Sequence, residues 1–284
     1  MEKINVAIAG ATGAVGAAMR EILEDRNFPI SELALLASER SLGKRFQFQG
    51  KSIRVQLLED FDFSNTQIAL FSAGGTVSTE HGERAALSGT IVVDNTSAFR
   101  YDDDVPLVVP EVNGHRIQDA FARHIVANPN CSTIQMVVAL KPLHDLFVIN
   151  RIDVTTFQAV SGSGKLAQDE LVTQIGQVLK GETPSLNIYN KQIAFNALPH
   201  CGDFEENSYT QEEMKMVWET HRILDPNIEV GATCVRVPVV NGHSESIHIE
   251  TREPITIDSV KNCLREAKGV NLISGEGSES YITA

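Results

Sequence analysis

A strand, a glycine-rich turn and a helix open the chain, and this order strongly restricts the fold. The apolar segment 4–9 leads into Gly10-Ala11-Thr12-Gly13-Ala14-Val15-Gly16, after which residues 17–23 continue with helical spacing. Glycines let the backbone turn tightly and approach a pyrophosphate, which then lies at the helix N-terminus. Because the spacing is G-x-x-G-x-x-G rather than the stricter G-x-G-x-x-G, the interpretation depends on the strands that follow.

Further short apolar segments support a doubly wound parallel sheet. We predict strands at residues 33–38, 67–71, 90–94, 107–109 and 124–127. Small residues, Ser72-Ala73-Gly74, follow the strand at 67–71, because a ligand crevice at the C-terminal ends of the strands requires them there. The sequence therefore predicts a Rossmann-like dinucleotide-binding domain over residues 1–128.

The segment Ser38-Glu39-Arg40-Ser41 ends the second strand, where such folds read the ribose of the cofactor. Arg40 between two serines suits a 2′-phosphate, which binds a planar cation and hydroxyl donors. Glu39 could instead accept the 2′-hydroxyl of NAD. The pattern favours NADP and leaves use of NAD open.

Residues 129–284 have a different pattern and predict a second, α+β domain. Alternating apolar residues at 151–160, 232–239 and 244–251 indicate antiparallel strands with one buried face. Helices are expected from about 165 to 180 and from Thr210. We therefore predict a mainly antiparallel sheet in a catalytic and dimerisation domain.

Cys131 lies in Ala-Asn-Pro-Asn-Cys-Ser-Thr, directly before an apolar helix that has no breaker until Pro142. Asn130 or Cys131 then falls at the helix cap, where unpaired N–H groups and the macrodipole favour an anion. A thiol there ionises more easily and is a candidate nucleophile. The alternative is an inert buried cysteine.

Three polar features of the second domain are further candidates. Thr210-Gln211-Glu212-Glu213 is a capping box, which places Met214, Val217, Trp218 and Leu224 on one helix face and Glu212, Lys215 and Glu219 on the other. A solvated ion-pair face is the simplest interpretation of that second set. An arginine such as Arg236, on an otherwise apolar strand, usually has a carboxylate partner from the protein or a substrate. His243 lies in a turn between two strands, at the surface or in a cleft.

Composition excludes several classes of function. The 37 acidic and 24 basic residues give a net charge of −13 with no basic run, which argues against nucleic-acid or anionic-membrane partners. The four widely spaced cysteines indicate neither a zinc site nor any other metal site, nor a redox dithiol. Reduced thiols, the immediate N-terminal strand and the lack of long apolar runs predict a cytoplasmic protein without a signal peptide.

Together these motifs resemble the aspartate-β-semialdehyde dehydrogenase family of bacterial enzymes. The resemblance is carried in order by 10–16, Asn128-Pro129-Asn130-Cys131-Ser132-Thr133, Gln158-Ala159-Val160-Ser161-Gly162, Glu212-Glu213-Met214-Lys215, Arg236-Val237-Pro238-Val239 and Gly242-His243-Ser244-Glu245. It implies NADPH-dependent reductive dephosphorylation of L-4-aspartyl phosphate to the semialdehyde and inorganic phosphate, in lysine, threonine and methionine synthesis.

The resemblance also implies roles for individual residues. Cys131 would be the nucleophile, His243 the general acid/base and Gln158 the group that orients the acyl intermediate. Arg236 would bind the substrate carboxylate and Glu212 its ammonium, while Lys215, Arg100 and Asn130 would receive the phosphoryl group. The cofactor positions would be Gly10, Thr12, Gly13, Ala14, Val15, Gly16, Ser38, Arg40, Ser41, Ser72, Ala73, Gly74, Ser161 and Gly162.

The family further implies a homodimer or a dimer of dimers, formed through the strands of the second domain. Family chains continue beyond the position of Tyr281 with a helix that returns to the nucleotide domain, whereas this sequence stops at Ala284. That difference predicts weakened cofactor binding or stability. Two alternatives stay open: a sister acyl-phosphate reductase of the N-acetylglutamyl-phosphate type, and a catalytically silent binding or oligomerisation module.

Overall fold

A computed structural model describes residues 2–273 and 281–284 of the chain. It divides into two compact units, Met1–Pro129 and Asn130–Ala284. The strands of the first unit are β1 Ile4–Ala9, β2 Ile30–Ala37, β3 Arg45–Phe48, β4 Lys51–Leu57, β5 Ile68–Phe71, β6 Ile91–Asp94 and β7 Ile125–Ala127. Its α-helices are α1 Ala14–Asp25, α2 Gly75–Val77, α3 Glu83–Leu87 and α4 Pro110–Asn113, with 3₁₀ turns at Glu39–Ser41 and Gly114–Ala122 and a π turn at Ser78–Gly82.

The strands of the first unit form one sheet in the order β3-β4-β2-β1-β5-β6-β7. All neighbours are parallel except β3 and β4, which pair antiparallel. Buried Ile8, Leu35 and Val55 join α1 to the sheet through one apolar cluster. The doubly wound sheet expected from the sequence is therefore present, and it places the C-terminal ends of β1, β2 and β5 on one edge.

One predicted strand of this unit is absent. Residues 107–109 make only an isolated bridge, between Leu107 and Ala127. The Asn113 side chain hydrogen-bonds to the backbone of this segment instead. Its Oδ1 accepts from the N–H of Val109, and its Nδ2 donates to the carbonyl of Leu107. A side chain that replaces a neighbouring strand leaves no periodic signal in the sequence.

The second unit contains strands β8 Ile149–Gln158, β9 Glu229–Arg236 and β10 Ser244–Thr251, and helices α5 Cys131–Phe147, α6 Lys165–Leu179, α7 Gln211–Ile223 and α8 Ile257–Glu266, with a 3₁₀ turn at Val160–Ser163. Its sheet has the order β10-β8-β9. β10 pairs antiparallel with β8, whereas β9 pairs parallel with it. The prediction of a mainly antiparallel sheet is corrected to a mixed sheet, because residues 159–228 form a crossover that returns the chain in the same direction.

Two helices of this unit differ from expectation. α5 continues through Pro142 to Phe147, with Leu140 and Leu143 buried on either side of the proline. The buried residues of α7 include Met216 and Glu219, whereas Trp218 is 42% exposed. The face carrying the two glutamates therefore points inward, and the interpretation of a solvated ion-pair face is wrong.

Among the helices that the structure describes, none combines the length and the apolar character needed to cross a membrane.

Candidate functional site

The glycine turn of the first unit has the shape that close approach to a phosphate requires. Gly10 has φ +84°, and a Cβ there would lie 2.3 Å from the carbonyl oxygen of Ser72. A Cβ at Gly16 would lie 2.4 Å from the carbonyl oxygen of Gly10. Gly13 caps α1 without a side-chain hydrogen bond, so the first N–H groups of the helix are available to an anion. These features fit a dinucleotide pyrophosphate.

Two neighbouring segments extend this nucleotide site. Ser41 lies in the turn after β2, and its Oγ is 3.3 Å from Oγ1 of Thr12 in the glycine turn, while Arg40 is exposed beside it. Gly74 follows β5 with φ +97°, and a Cβ there would meet no atom of the described residues within 4 Å. The predicted cofactor residues of the first unit thus lie at the C-terminal ends of β1, β2 and β5, as the fold requires.

Cys131 is the first residue of α5 and is exposed. Asn130 caps the helix, with Oδ1 accepting from the N–H groups of Ser132 at 2.9 Å and Thr133 at 3.3 Å. Of the two cap residues that the sequence allowed, Asn130 is therefore the one observed. The thiol therefore lies at the positive end of the α5 helix dipole.

Glu212 lies at the centre of a hydrogen-bonded cluster in the second unit. Its Oε1 accepts from Nδ2 of Asn130 at 2.8 Å and from Nε2 of Gln158 at 3.2 Å, and its Oε2 is 3.4 Å from Nζ of Lys215. Burial acts to raise the pKa of Glu212, but Lys215, Asn130, Gln158 and the nearby Arg236 outweigh it and lower that pKa. Glu212 is therefore a carboxylate at neutral pH, suited to a cationic group of a ligand.

Arg236 and His243 are both held by the backbone of Ala159, where β8 ends. Nη1 of Arg236 donates to the carbonyl of Ala159 at 2.8 Å, and the N–H of Ala159 donates to Nδ1 of His243 at 3.0 Å. A Cβ at Gly162 would lie 2.9 Å from Nη1 of Arg236 and 3.5 Å from Cε1 of His243. Burial and then the Arg236 charge lower the pKa of His243 below 6.5, so its imidazole is neutral at pH 7.

The structure brings most of the predicted substrate and catalytic residues into the second unit: Asn130, Cys131, Gln158, Glu212, Lys215, Arg236 and His243. Ser161 and Gly162, predicted as cofactor residues, belong to the same unit, in the turn after β8. Arg100 belongs to the first unit, where its guanidinium donates to the carbonyls of Thr96 and Asn95.

Three residues at the site escaped prediction. Ser132 accepts from Nε2 of Gln158 at 2.9 Å, Glu219 accepts from the N–H of Asn130, and Ala159 anchors Arg236 and His243. Ser132 stands within the cysteine motif, which could have indicated it. Glu219 was assigned to the solvated face of α7, and Ala159 acts through backbone atoms that its side chain does not reveal.

A dinucleotide-binding unit is followed by a unit that places a cysteine at a helix start and holds a histidine and an arginine at the end of a strand, which is the organisation of a semialdehyde dehydrogenase. Residues 5–120 match the model of the semialdehyde dehydrogenase NAD binding domain, and residues 140–284 match that of the semialdehyde dehydrogenase dimerisation domain.

Within the semialdehyde dehydrogenases, the chain is similar to individual enzymes that act on the aspartate derivative. The chain is 55% identical to aspartate-semialdehyde dehydrogenase 2 of Vibrio cholerae over 96% of its own length and 82% of that protein. It matches the crystal structure of aspartate semialdehyde dehydrogenase II from Vibrio cholerae complexed with ASA with a TM-score of 0.96 at 54% identity, covering 98% of this chain and 83% of that one. The Candida albicans enzyme with NADP matches with a TM-score of 0.70 at 27% identity, over 93% and 76% of the two chains.

The chain belongs to the aspartate-semialdehyde dehydrogenase family. Members of this family are NADP-dependent oxidoreductases that perform the reductive dephosphorylation step of aspartate-family amino-acid biosynthesis. The glycine turn, the start of α1 at Gly13 without a side-chain cap, and the exposed Arg40 fit that cofactor.

Proposed function

We propose that this protein reduces L-4-aspartyl phosphate to L-aspartate-4-semialdehyde through a thioester at Cys131, with release of inorganic phosphate. The observation that carries the proposal is the Glu212 cluster, which ties Asn130, the residue before the thiol, to Gln158. Such a cluster holds a carboxylate for the substrate ammonium next to the start of the nucleophile's helix.

The first half of the reaction forms the acyl enzyme. The Cys131 thiolate, stabilised by the α5 N-terminus, attacks the acyl carbonyl carbon and forms a C–S bond. The bond from that carbon to the phosphate oxygen breaks, and the phosphate leaves with the electron pair. A backbone N–H at the helix start stabilises the oxygen of the tetrahedral species. Asn130, Lys215 and Arg100 are the residues proposed to receive the phosphate.

NADPH, when bound at the glycine turn, supplies the hydride that reduces the thioester. Collapse of the resulting thiohemiacetal oxyanion breaks the C–S bond, releases the aldehyde and returns Cys131 as thiolate. Gln158 orients the acyl group. One proton from solvent ends on the phosphate, so the overall reaction balances.

His243 acts on the acyl oxygen. Because Nδ1 accepts from the N–H of Ala159, the neutral ring carries its proton on Nε2. That N–H donates to the acyl oxygen as negative charge develops there. His243 is thus proposed chiefly as the acid and hydrogen-bond donor of the acid/base role implied by the family.

Arg236 and Glu212 together select a free amino acid as substrate. The guanidinium of Arg236 pairs with the α-carboxylate, and the ionised Glu212 pairs with the α-ammonium. An N-acetylated substrate has no ammonium to pair with Glu212 and would bring its acetyl group against that carboxylate. We therefore expect turnover with L-aspartate-4-semialdehyde and none with N-acetylglutamate semialdehyde; the reverse preference would favour the sister reductase.

The test is the phosphate-dependent reduction of NADP⁺ with L-aspartate-4-semialdehyde, in the wild type, Cys131→Ser and Cys263→Ser. Cys263 lies on α8 and is a matched control for loss of a thiol. We expect Cys131→Ser to lose activity by a factor of about 10³ or more and Cys263→Ser to stay within about twofold. Wild-type turnover in Cys131→Ser would exclude the thioester route. No turnover and no NADPH binding in the wild type would indicate a silent module.

The proposed assembly is a homodimer formed through the open face of the β8-β9-β10 sheet. Phe157, Thr233 and His248 from the three strands are exposed on that face. Light scattering after size exclusion would distinguish a dimer from a dimer of dimers, and Phe157→Glu should shift the protein toward monomer. We place the enzyme in the cytoplasm, in keeping with the four reduced thiols of the described residues.

A further inference from the structure

The residue preceding the nucleophile is held at two points by one helix. α7 presents Glu212 and, two turns later, Glu219 on the same face. Glu212 accepts from the side-chain amide of Asn130 at 2.8 Å, and Oε2 of Glu219 accepts from its backbone N–H at 2.6 Å. The side chain and the main chain of Asn130 are therefore fixed independently.

Glu219 is an unusual residue to find at such a position. It is 0% exposed, and Asn130 is 6% exposed, so their hydrogen bond is shielded from water. A buried carboxyl is retained only where it is hydrogen-bonded, and a buried N–H that loses its acceptor destabilises the folded protein. The Asn130 N–H lies outside the α5 ladder, so it needs an acceptor from elsewhere, which Glu219 supplies.

We propose that Glu219 is a positioning residue for Cys131, acting through the Asn130 peptide and without contact to the substrate. With the N–H of Asn130 anchored, its Oδ1 reaches the N–H groups of Ser132 and Thr133 while its Nδ2 reaches Glu212. The same geometry fixes the backbone that enters Cys131. Loss of the Glu219 acceptor removes one anchor of the Asn130 backbone, so that the thiol is held less firmly at the start of α5.

The inference rests on the proposed function, in which Cys131 is the nucleophile. The test measures the alkylation rate of the Cys131 thiol by iodoacetamide as a function of pH, together with kcat and KM, in the full chain. Glu219→Ala is compared with Glu170→Ala. Glu170 is a matched control, since it is 5% exposed and accepts from the N–H of Asn187 at 3.0 Å, far along the chain from α5.

We expect Glu219→Ala to lower kcat by about 10- to 100-fold and to slow thiol alkylation at neutral pH by at least fivefold. Glu170→Ala should lower the Tm comparably but change both rates by less than twofold. Glu219→Gln retains an acceptor oxygen and should recover most of the activity. The same loss of Tm in both Ala variants, with wild-type kcat and alkylation in Glu219→Ala, would overturn the proposal.

The proposal can be tested even if Glu219→Ala is defective in folding. If Glu219→Ala does not fold, Glu219→Gln is compared with Glu219→Asp, which shortens the reach to Asn130 by one methylene. Faster alkylation in Gln than in Asp supports the proposal, and equal rates overturn it. Full activity in Cys131→Ser would instead contradict the proposed thioester reaction. Failure of the proposed function can therefore be distinguished from failure of the proposed role of Glu219.

Discussion

The backbone N–H of Ala159 donates to Nδ1 of His243 at 3.0 Å, and the carbonyl of the same residue accepts from Arg236 at 2.8 Å. One peptide position at the end of β8 thus sets both the tautomer of the histidine and the placement of the arginine. Gly162 lies close to both groups, where a larger residue would meet the guanidinium. A short loop therefore fixes the acid and the carboxylate-binding group of the proposed reaction together.

The pKa of His243 is lowered by burial and then by Arg236, with Glu212 acting in the opposite direction. We expect its NMR titration midpoint below 6.5, so that the ring stays neutral as the pH falls to that value. Arg236→Leu should raise the midpoint, because a nearby cation no longer opposes protonation. A wild-type midpoint above 6.5 would contradict the neutral Nε2–H tautomer as the resting state.

Burial raises the pKa of Glu245 from 4.5 to about 8, against a smaller opposing effect of Gln135. The folded state then binds a proton that the unfolded state releases between pH 4.5 and about 8. The contribution of Glu245 to the free energy of unfolding is fully present below pH 4.5 and is lost as the pH rises through this window. Glu245→Gln should therefore gain about 2 kcal/mol over wild type at pH 8.5, after allowance for partial exposure, and little at pH 5.

Urea unfolding at the two pH values measures this difference. Glu250→Gln is the control, since Glu250 is exposed on the same strand. A gain for Glu245→Gln that is equal at pH 5 and pH 8.5 would show that protonation of Glu245 is not its cause.

Gly10→Ala should destabilise the first unit by at least about 2 kcal/mol more than Gly50→Ala, and should abolish NADPH binding. Both glycines have positive φ, +84° and +74°, so both substitutions introduce backbone strain. Only at Gly10 does the new Cβ also meet a backbone oxygen, at 2.3 Å; at Gly50 nothing in the described chain lies within 4 Å. Equal unfolding free energies for the two variants would show that the close approach to Ser72 is unimportant.

Arg40→Ala should weaken NADPH binding by about 10- to 100-fold and change NADH binding by less than twofold, because only the former carries a 2′-phosphate. Fluorescence titration with both cofactors measures the two dissociation constants. Arg26→Ala, another exposed arginine of the first unit, is the matched control. Equal losses for NADPH and NADH would place the 2′-phosphate contact elsewhere.

Local patterns in the sequence predicted local structure well. The glycine turn, the helix cap at Asn130 or Cys131 and the Thr210–Glu213 capping box are each defined by residues a few positions apart, and all three are present, with Asn130 as the cap. Each depends on backbone groups that lie within a turn of the residue that satisfies them. The roles assigned to the site residues remain predictions.

Features that depend on residues far apart in the sequence could not be predicted from local patterns. Alternation along β8 and β9 indicates one buried face but carries no information on strand direction, which the crossover determines. Periodicity in α7 separates two faces without showing which is buried. Glu219 is inside because a partner for its carboxyl lies at Asn130, far away in the sequence. Burial of polar residues follows their partners rather than their polarity.

The crossover between β8 and β9 separates the residues of the candidate site in the order of their synthesis. Asn130 and Gln158 leave the ribosome early, but Glu212, Arg236 and His243 follow only after the long crossover between the two strands. Closing so long a loop is slow and precedes any gain from the contacts it permits. A nascent chain thus carries Cys131 well before Glu212, Arg236 and His243, the residues proposed to act with it, have been synthesised.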